Sequence, residues 1–188
     1  MANKPTFAYA KLNARVQPLD RGERYEDPLI EVLEKDNWAA VTGGGTSQEQ
    51  TGEIDYCGID LDLHDIEKAV PLICKVLTEC GAPKGSQFEY QLDGKDHKVP
   101  FGNLEGIAVY LNGTDLPDST YENYDSNDVY NEINKLLWKK GAIQGNWRGP
   151  TELALYLYGN SAAEMKSLIA EYTASHPLCQ KCRVVEIA

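Results

Sequence analysis

The chain has 188 residues, 42% of them hydrophobic and 25% charged, which suffices for one ordinary domain or two small ones and excludes a disordered polymer. Eighteen Lys and Arg against 29 Asp and Glu give a net charge of −11, and such a surface repels phosphates, so neither a nucleic acid nor an anionic membrane is expected as the main partner. No apolar run approaches the roughly 20 residues of a membrane span, and Met1–Thr6 lacks the apolar core of a secretory signal.

Taken in order, the elements occur twice. Residues 8–25 (AYAKLNARVQPLDRGERY) and 107–124 (IAVYLNGTDLPDSTYENY) align at an offset of 99, matching Leu12 with Leu111, Asn13 with Asn112, Pro18 with Pro117 and Tyr25 with Tyr124. Each opens with a strand. In the first half Asp27 reads as a helix cap, with Pro28 at the first helical position and Leu29, Ile30, Val32 and Leu33 as the apolar face. The counterpart helix starts near Ser126, carries Val129, Ile133, Leu136 and Leu137, and stops at Gly141.

Two strands follow each helix: Trp38–Thr42 and Glu53–Leu63 in the first half, Ala142–Trp147 and Glu152–Tyr158 in the second. Second helices cover residues 66–80, where Pro71 predicts an irregular first turn, and 161–175, where Ser161 and Glu164 form a capping box. The closing strands are Gln87–Gln91 and Arg183–Ile187. Between the halves, Asp93-Gly94 turns a hairpin whose second arm, His97–Phe101, adds an edge strand.

The order is βαββαβ, twice. It predicts an α+β fold, a tandem duplication of the ferredoxin-like unit, with antiparallel sheets carrying helices on one face. The repeats are assigned to residues 1–92 and 105–188, closely packed and joined by a hairpin linker at 93–104. Packing sheet to sheet and lying side by side as one sheet both fit the pattern.

Strand alternation then sorts the side chains. Ile107, Val109 and Leu111 face the helices, which turns Tyr110 and Asn112 to the other side. The same phase turns out Tyr156 and Tyr158, and in the first half Tyr56, Asp60, Asp62 and His64. These helix-free faces read either as solvated surfaces with cross-strand aromatic pairs or as a recognition surface rich in Tyr.

Motifs for chemistry are few. Asp60, Asp62 and His64 could serve as polar groups of a ligand cleft between the repeats, or as an acid/base set. His176-x-x-Cys179-x-x-Cys182 has ligand-like spacing but lacks a fourth donor, so neither a metal nor any other cofactor is expected. Five cysteines without a signal segment point to a reducing, cytoplasmic setting. Gly43-Gly44-Gly45 departs from the phosphate-loop pattern and reads as a flexible hairpin loop.

Charge distribution says more. No Lys or Arg occurs between Lys98 and Lys135, whereas Asp115, Asp118, Glu122, Asp125 and Asp128 do, with Tyr121 and Tyr124 among them. These seven residues are the expected binding site for a basic protein partner. The expectation is therefore a non-enzymatic acidic binding protein, of which an immunity or antitoxin-type inhibitor of a cationic toxin is one form. The alternative is a small-ligand binder or enzyme built on Asp60, Asp62 and His64. Oligomeric state is left open.

Overall fold

The computed structural model describes residues 4–188. The chain forms two compact units: one takes the sequence up to Glu49 together with Ile54–Asn103, the other takes Gln50–Glu53 and Leu104–Ala188.

In the first unit, β1 (Thr6–Leu12), β2 (Ala39–Gln48), β3 (Ile54–Leu63), β4 (Ser86–Leu92) and β5 (Lys95–Phe101) build one antiparallel sheet in the order β2-β3-β1-β4-β5. Helices α2 (Asp27–Leu33) and α3 (Ile66–Glu79) contribute to the core beneath it. Ala8, Ala10 and Leu12 of β1, with Ile59, Leu61 and Leu63 of β3, meet Leu29, Leu33, Ile73 and Leu77 there. The alternation of β1 and the 3.6-residue spacing of α3 select these faces. The expected hairpin joins β4 to β5, and Asp93 and Gly94 both take positive φ (51° and 74°), as a two-residue turn of this hand requires.

The second unit repeats the order. Strands β6 (Glu105–Asn112), β7 (Gly141–Arg148), β8 (Glu152–Gly159) and β9 (Arg183–Glu186) form an antiparallel sheet, β7-β8-β6-β9. Helices α5 (Ser126–Leu136) and α6 (Ala162–Ser175) supply Val129, Ile133, Met165 and Ile169 to its core. Ser161 caps α6 by accepting the Glu164 N–H (3.2 Å). The ferredoxin-like duplication is thus present as two sheets, of five and four strands.

Three local expectations are corrected. Asp27 does not open a helix: the chain is already helical from α1 (Pro18–Arg21), through a π turn at Gly22–Glu26, into α2. Fully buried Tyr25 and nearly buried Arg21 hold that extra turn in place, contacts that local sequence does not reveal. Gly43–Gly45 are not a loop but the middle of β2, after a bulge between Val41 and Gly43. A Cβ on Gly44 would lie 2.8 Å from Glu26 Oε1 and 2.8 Å from the Gly58 carbonyl, so glycine there lets the helical segment close on the strand. Pro71 lies inside α3 without breaking it; Asp65 caps the helix by accepting the Lys68 N–H (3.2 Å).

Candidate functional site

The expected acidic segment lies after β6, and its conformation begins with Asn112. The Asn112 side-chain oxygen accepts the N–H groups of Thr114 (3.0 Å) and Asp115 (2.7 Å), which turns the chain back over the strand end. Leu116 is buried, and a short helix, α4 (Asp118–Asn123), follows. Asp125 then caps α5 by accepting the Asn127 N–H at 2.8 Å.

This path forms a pocket of about 550 Å³ within the second unit. Leu111, Leu153 and Leu178 supply apolar walls, Tyr121 and Tyr124 the aromatic ones, and Glu122, Asp125 and Asp128 the carboxylates. Tyr121 is half-buried and pins the turn: its hydroxyl accepts the Leu116 N–H (3.0 Å) and lies 3.3 Å from the Asn112 carbonyl oxygen. Tyr124 is 43% exposed, its ring set edge-on to His176 with centroids 5.4 Å apart. His176 stacks in turn on Tyr172 (5.0 Å), and its Nδ1 accepts the Leu178 N–H (3.3 Å). The tyrosine at the rim is thereby tied to the segment that delivers Leu178.

Five of the seven expected residues gather at this pocket. Asp115 and Asp118 do not line it, although both are exposed nearby in the chain. The Asp115 carboxylate accepts from the Asn112 amide (3.2 Å), and its carbonyl accepts from Lys181 Nζ (2.8 Å). The expectation of an acidic stretch without local cations is corrected here, because folding brings Lys181 and Arg148 to it from distant sequence. Arg148 lines the pocket and was absent from the sequence-derived set. Antiparallel pairing carries the signal that could have found it: Asn112 faces Glu152 across β6 and β8, while Arg148 faces Leu153 across β7 and β8.

The alternative residues are dispersed. Tyr110, Tyr156 and Tyr158 do occupy the helix-free face, but they are 5%, 0% and 1% exposed and form a small core with Trp147 and Leu104. Reading them as an open recognition surface is therefore corrected. The Tyr110 and Tyr156 hydroxyls both donate to Glu53 Oε1, at 2.6 and 2.8 Å, which satisfies a carboxylate that is itself buried. Asn112 is engaged in its turn.

In the first unit Asp60 pairs with Tyr9 across β1 and β3, and its carboxylate reaches the place where a Gly43 Cβ would sit. Burial first, then the negative groups of Tyr56 and Asp60, push the Tyr9 hydroxyl up to about 12. Lys11 Nζ lies over the Tyr56 ring at 4.0 Å. Asp62 is half-buried on the same face of β3. His64 lies beyond the strand, with Nδ1 3.0 Å from the Asn37 carbonyl, in a groove that includes Asp65 but neither Asp60 nor Asp62.

Among the described residues, no group of three or more His, Cys, Asp or Glu is arranged to hold a metal ion. Burial pushes the Cys179 thiol up to about 12 and raises that of Cys182.

No family model and no curated protein matches the chain. Solved structures with a similar trace include a protein of unknown function from Galdieria sulphuraria (12% identity, TM-score 0.29, 98% of each chain covered). Two others are a candidate monooxygenase from Fusobacterium nucleatum (8%, TM-score 0.32, 99% of this chain and 92% of that one) and the first two RRM domains of yeast poly(U) binding protein (6%, TM-score 0.25, 97% and 99%).

Proposed function

We propose that this chain is a non-enzymatic binding protein that docks a basic protein partner in the acidic pocket of its second unit. One observation supports the reading above all: Glu122, Asp125 and Asp128 share a pocket of about 550 Å³ with two tyrosines and an apolar wall, and none of the three carboxylates makes an ion pair among the described residues. Carboxylates without an ion-pair partner steer a cationic partner, and of the three Asp125 also accepts the Asn127 N–H as the cap of α5. Tyr124, exposed at the rim, offers a ring face to a lysine or arginine and a hydroxyl to its backbone. Leu111 and Leu153 can cover the alkyl stem of such a side chain. An inhibitor that masks the cationic surface of a toxin is the form of this function that best fits the net charge of −11.

Titration of the isotope-labelled protein with octalysine tests it. Resonances of residues 111–128, 148 and 178 should shift, and the combined E122Q, D125N, D128N variant should bind about tenfold more weakly or worse. Asparagine at 125 can still cap α5, so the variant changes charge without removing the cap. Shifts confined to other surfaces, or unchanged affinity in the variant, would overturn the reading.

A further inference from the structure

The pocket also holds a cation that the docking reading leaves unexplained. Arg148 ends β7, is exposed, lines the same pocket as Glu122, Asp125 and Asp128, and makes no side-chain hydrogen bond or ion pair among the described residues. An arginine in that position repels an incoming lysine or arginine that brings nothing else. It favours a group that brings a carboxylate as well. We propose that the pocket takes the C-terminal lysine or arginine of a partner chain, with the α-carboxylate on Arg148 and the side-chain cation among Glu122, Asp125 and Asp128.

The chemistry of the walls supports this occupant. A guanidinium presents a planar fork of donors that matches a carboxylate in two parallel hydrogen bonds, and capture of a chain's terminal carboxylate is a recurrent recognition mode. The volume falls in the range of pockets that hold one compact ligand rather than a broad protein surface. Leu111 and Leu153 line the pocket and offer apolar surface to the methylene stem, and Tyr124 offers an aromatic ring to the cation. An internal basic residue would use the carboxylates and leave Arg148 facing a like charge. A chain end uses both. The inference rests on the docking reading and narrows it from a basic surface to a basic terminus.

Calorimetry with four N-acetylated peptides separates the two. The sequence Gly-Ala-Gly-Lys is used as the free acid and as the C-terminal amide, Gly-Ala-Gly-Ala as the free acid, and octalysine is the broader probe. The lysine acid should bind about tenfold more tightly than its amide and than the alanine acid, and Arg148→Gln should bring it down to the level of the amide. Equal binding of lysine acid and amide, or an unchanged preference in R148Q, overturns the terminal-residue inference. Octalysine shifts at the pocket would in that case leave the docking reading standing. If octalysine fails there as well, both fall. Tight binding of the alanine acid would instead define a carboxylate site and overturn the requirement for a basic side chain.

Discussion

Tyr25 and Tyr124 stand at equivalent places in the two repeats, 99 residues apart, and meet opposite fates. Tyr25 is fully buried in the core of the first unit, while Tyr124 is 43% exposed at the rim of a pocket. The segments around them differ in the same sense. In the first repeat Arg21 Nε pairs with Glu26 at 2.5 Å, and Nη1 donates to Thr46 at 3.1 Å, which closes the helical segment onto β2. In the second repeat Asp125 stands where Glu26 does and Thr120 where Arg21 does, and Asp125 makes no ion pair among the described residues. Counting from the bulge in each edge strand, Asn146 stands where β2 has Gly44, and Gly44 is the residue that leaves room for Arg21 and Glu26. One copy of the connection has been committed to stability. The other leaves Glu122, Asp125 and Asp128 exposed at a pocket.

The largest expected effect probes that contrast directly. Tyr25→Ala removes a fully buried ring and should cost about 3–5 kcal/mol in urea unfolding, whereas Tyr124→Ala should cost less than about 1 kcal/mol. Similar losses at both positions would end the comparison. Next, Glu26→Gln leaves the mostly buried Arg21 without its anion and should destabilise by about 2 kcal/mol, below the range for fully buried pairs because both side chains keep some exposure. Asp128→Asn, its control in the open copy, should change stability by no more than about 0.5 kcal/mol.

A smaller effect concerns pH. The Arg183 guanidinium holds the Glu152 carboxyl below its ordinary value through two 2.9 Å hydrogen bonds, and Arg183 also lies 3.5 Å over the Tyr110 ring. A carboxyl lowered in the folded state contributes stability above its unfolded pKa, and loses it as pH falls through the folded value. Acid titration of stability below about pH 4.5 should therefore be shallower in Glu152→Gln. The difference should be a few tenths of a kcal/mol, because Arg183 is half exposed and solvent screens the pair. The least change is expected from thiol reagents. Burial pushes Cys57 and Cys179, one in each unit, up to about 12, so neither should be alkylated at pH 7 within the time that labels a denatured control, as read by mass spectrometry.

Much of this was legible in the chain because its signals are local and periodic. Alternating residues such as Ile107, Val109 and Leu111 mark a strand with one buried face, and Asp93-Gly94 demands its own turn geometry. The acidic segment was legible as charge. What was not legible was which of its members would converge: Glu122, Asp125 and Asp128 line the pocket, while Asp115 is engaged by Asn112 and Lys181. Arg148 and Leu178 were missed because they reach the pocket from β7 and from the turn after α6, far away in sequence. Gly43–Gly45 misled for a related reason. Glycine is a poor strand former in isolation, yet Gly44 is required where another side chain comes too close for a Cβ.

The sequence by itself determined the duplicated βαββαβ order, the faces of the strands and helices, and a net charge that disfavours polyanions, since periodicity, turn chemistry and composition act over a few residues or over the sum of all of them. Only the tertiary structure decided that Tyr110, Tyr156 and Tyr158 would be buried, with Glu53 accepting hydrogen bonds from Tyr110 and Tyr156, and that Tyr124 would stay in solvent at a pocket that Arg148 also lines. Strand alternation states which side of a sheet a residue takes. Whether that side meets water depends on what else packs there, and that is set by contacts between residues far apart in sequence, such as Glu53 with Tyr156, 103 positions away, or Asp115 with Lys181, 66 positions away.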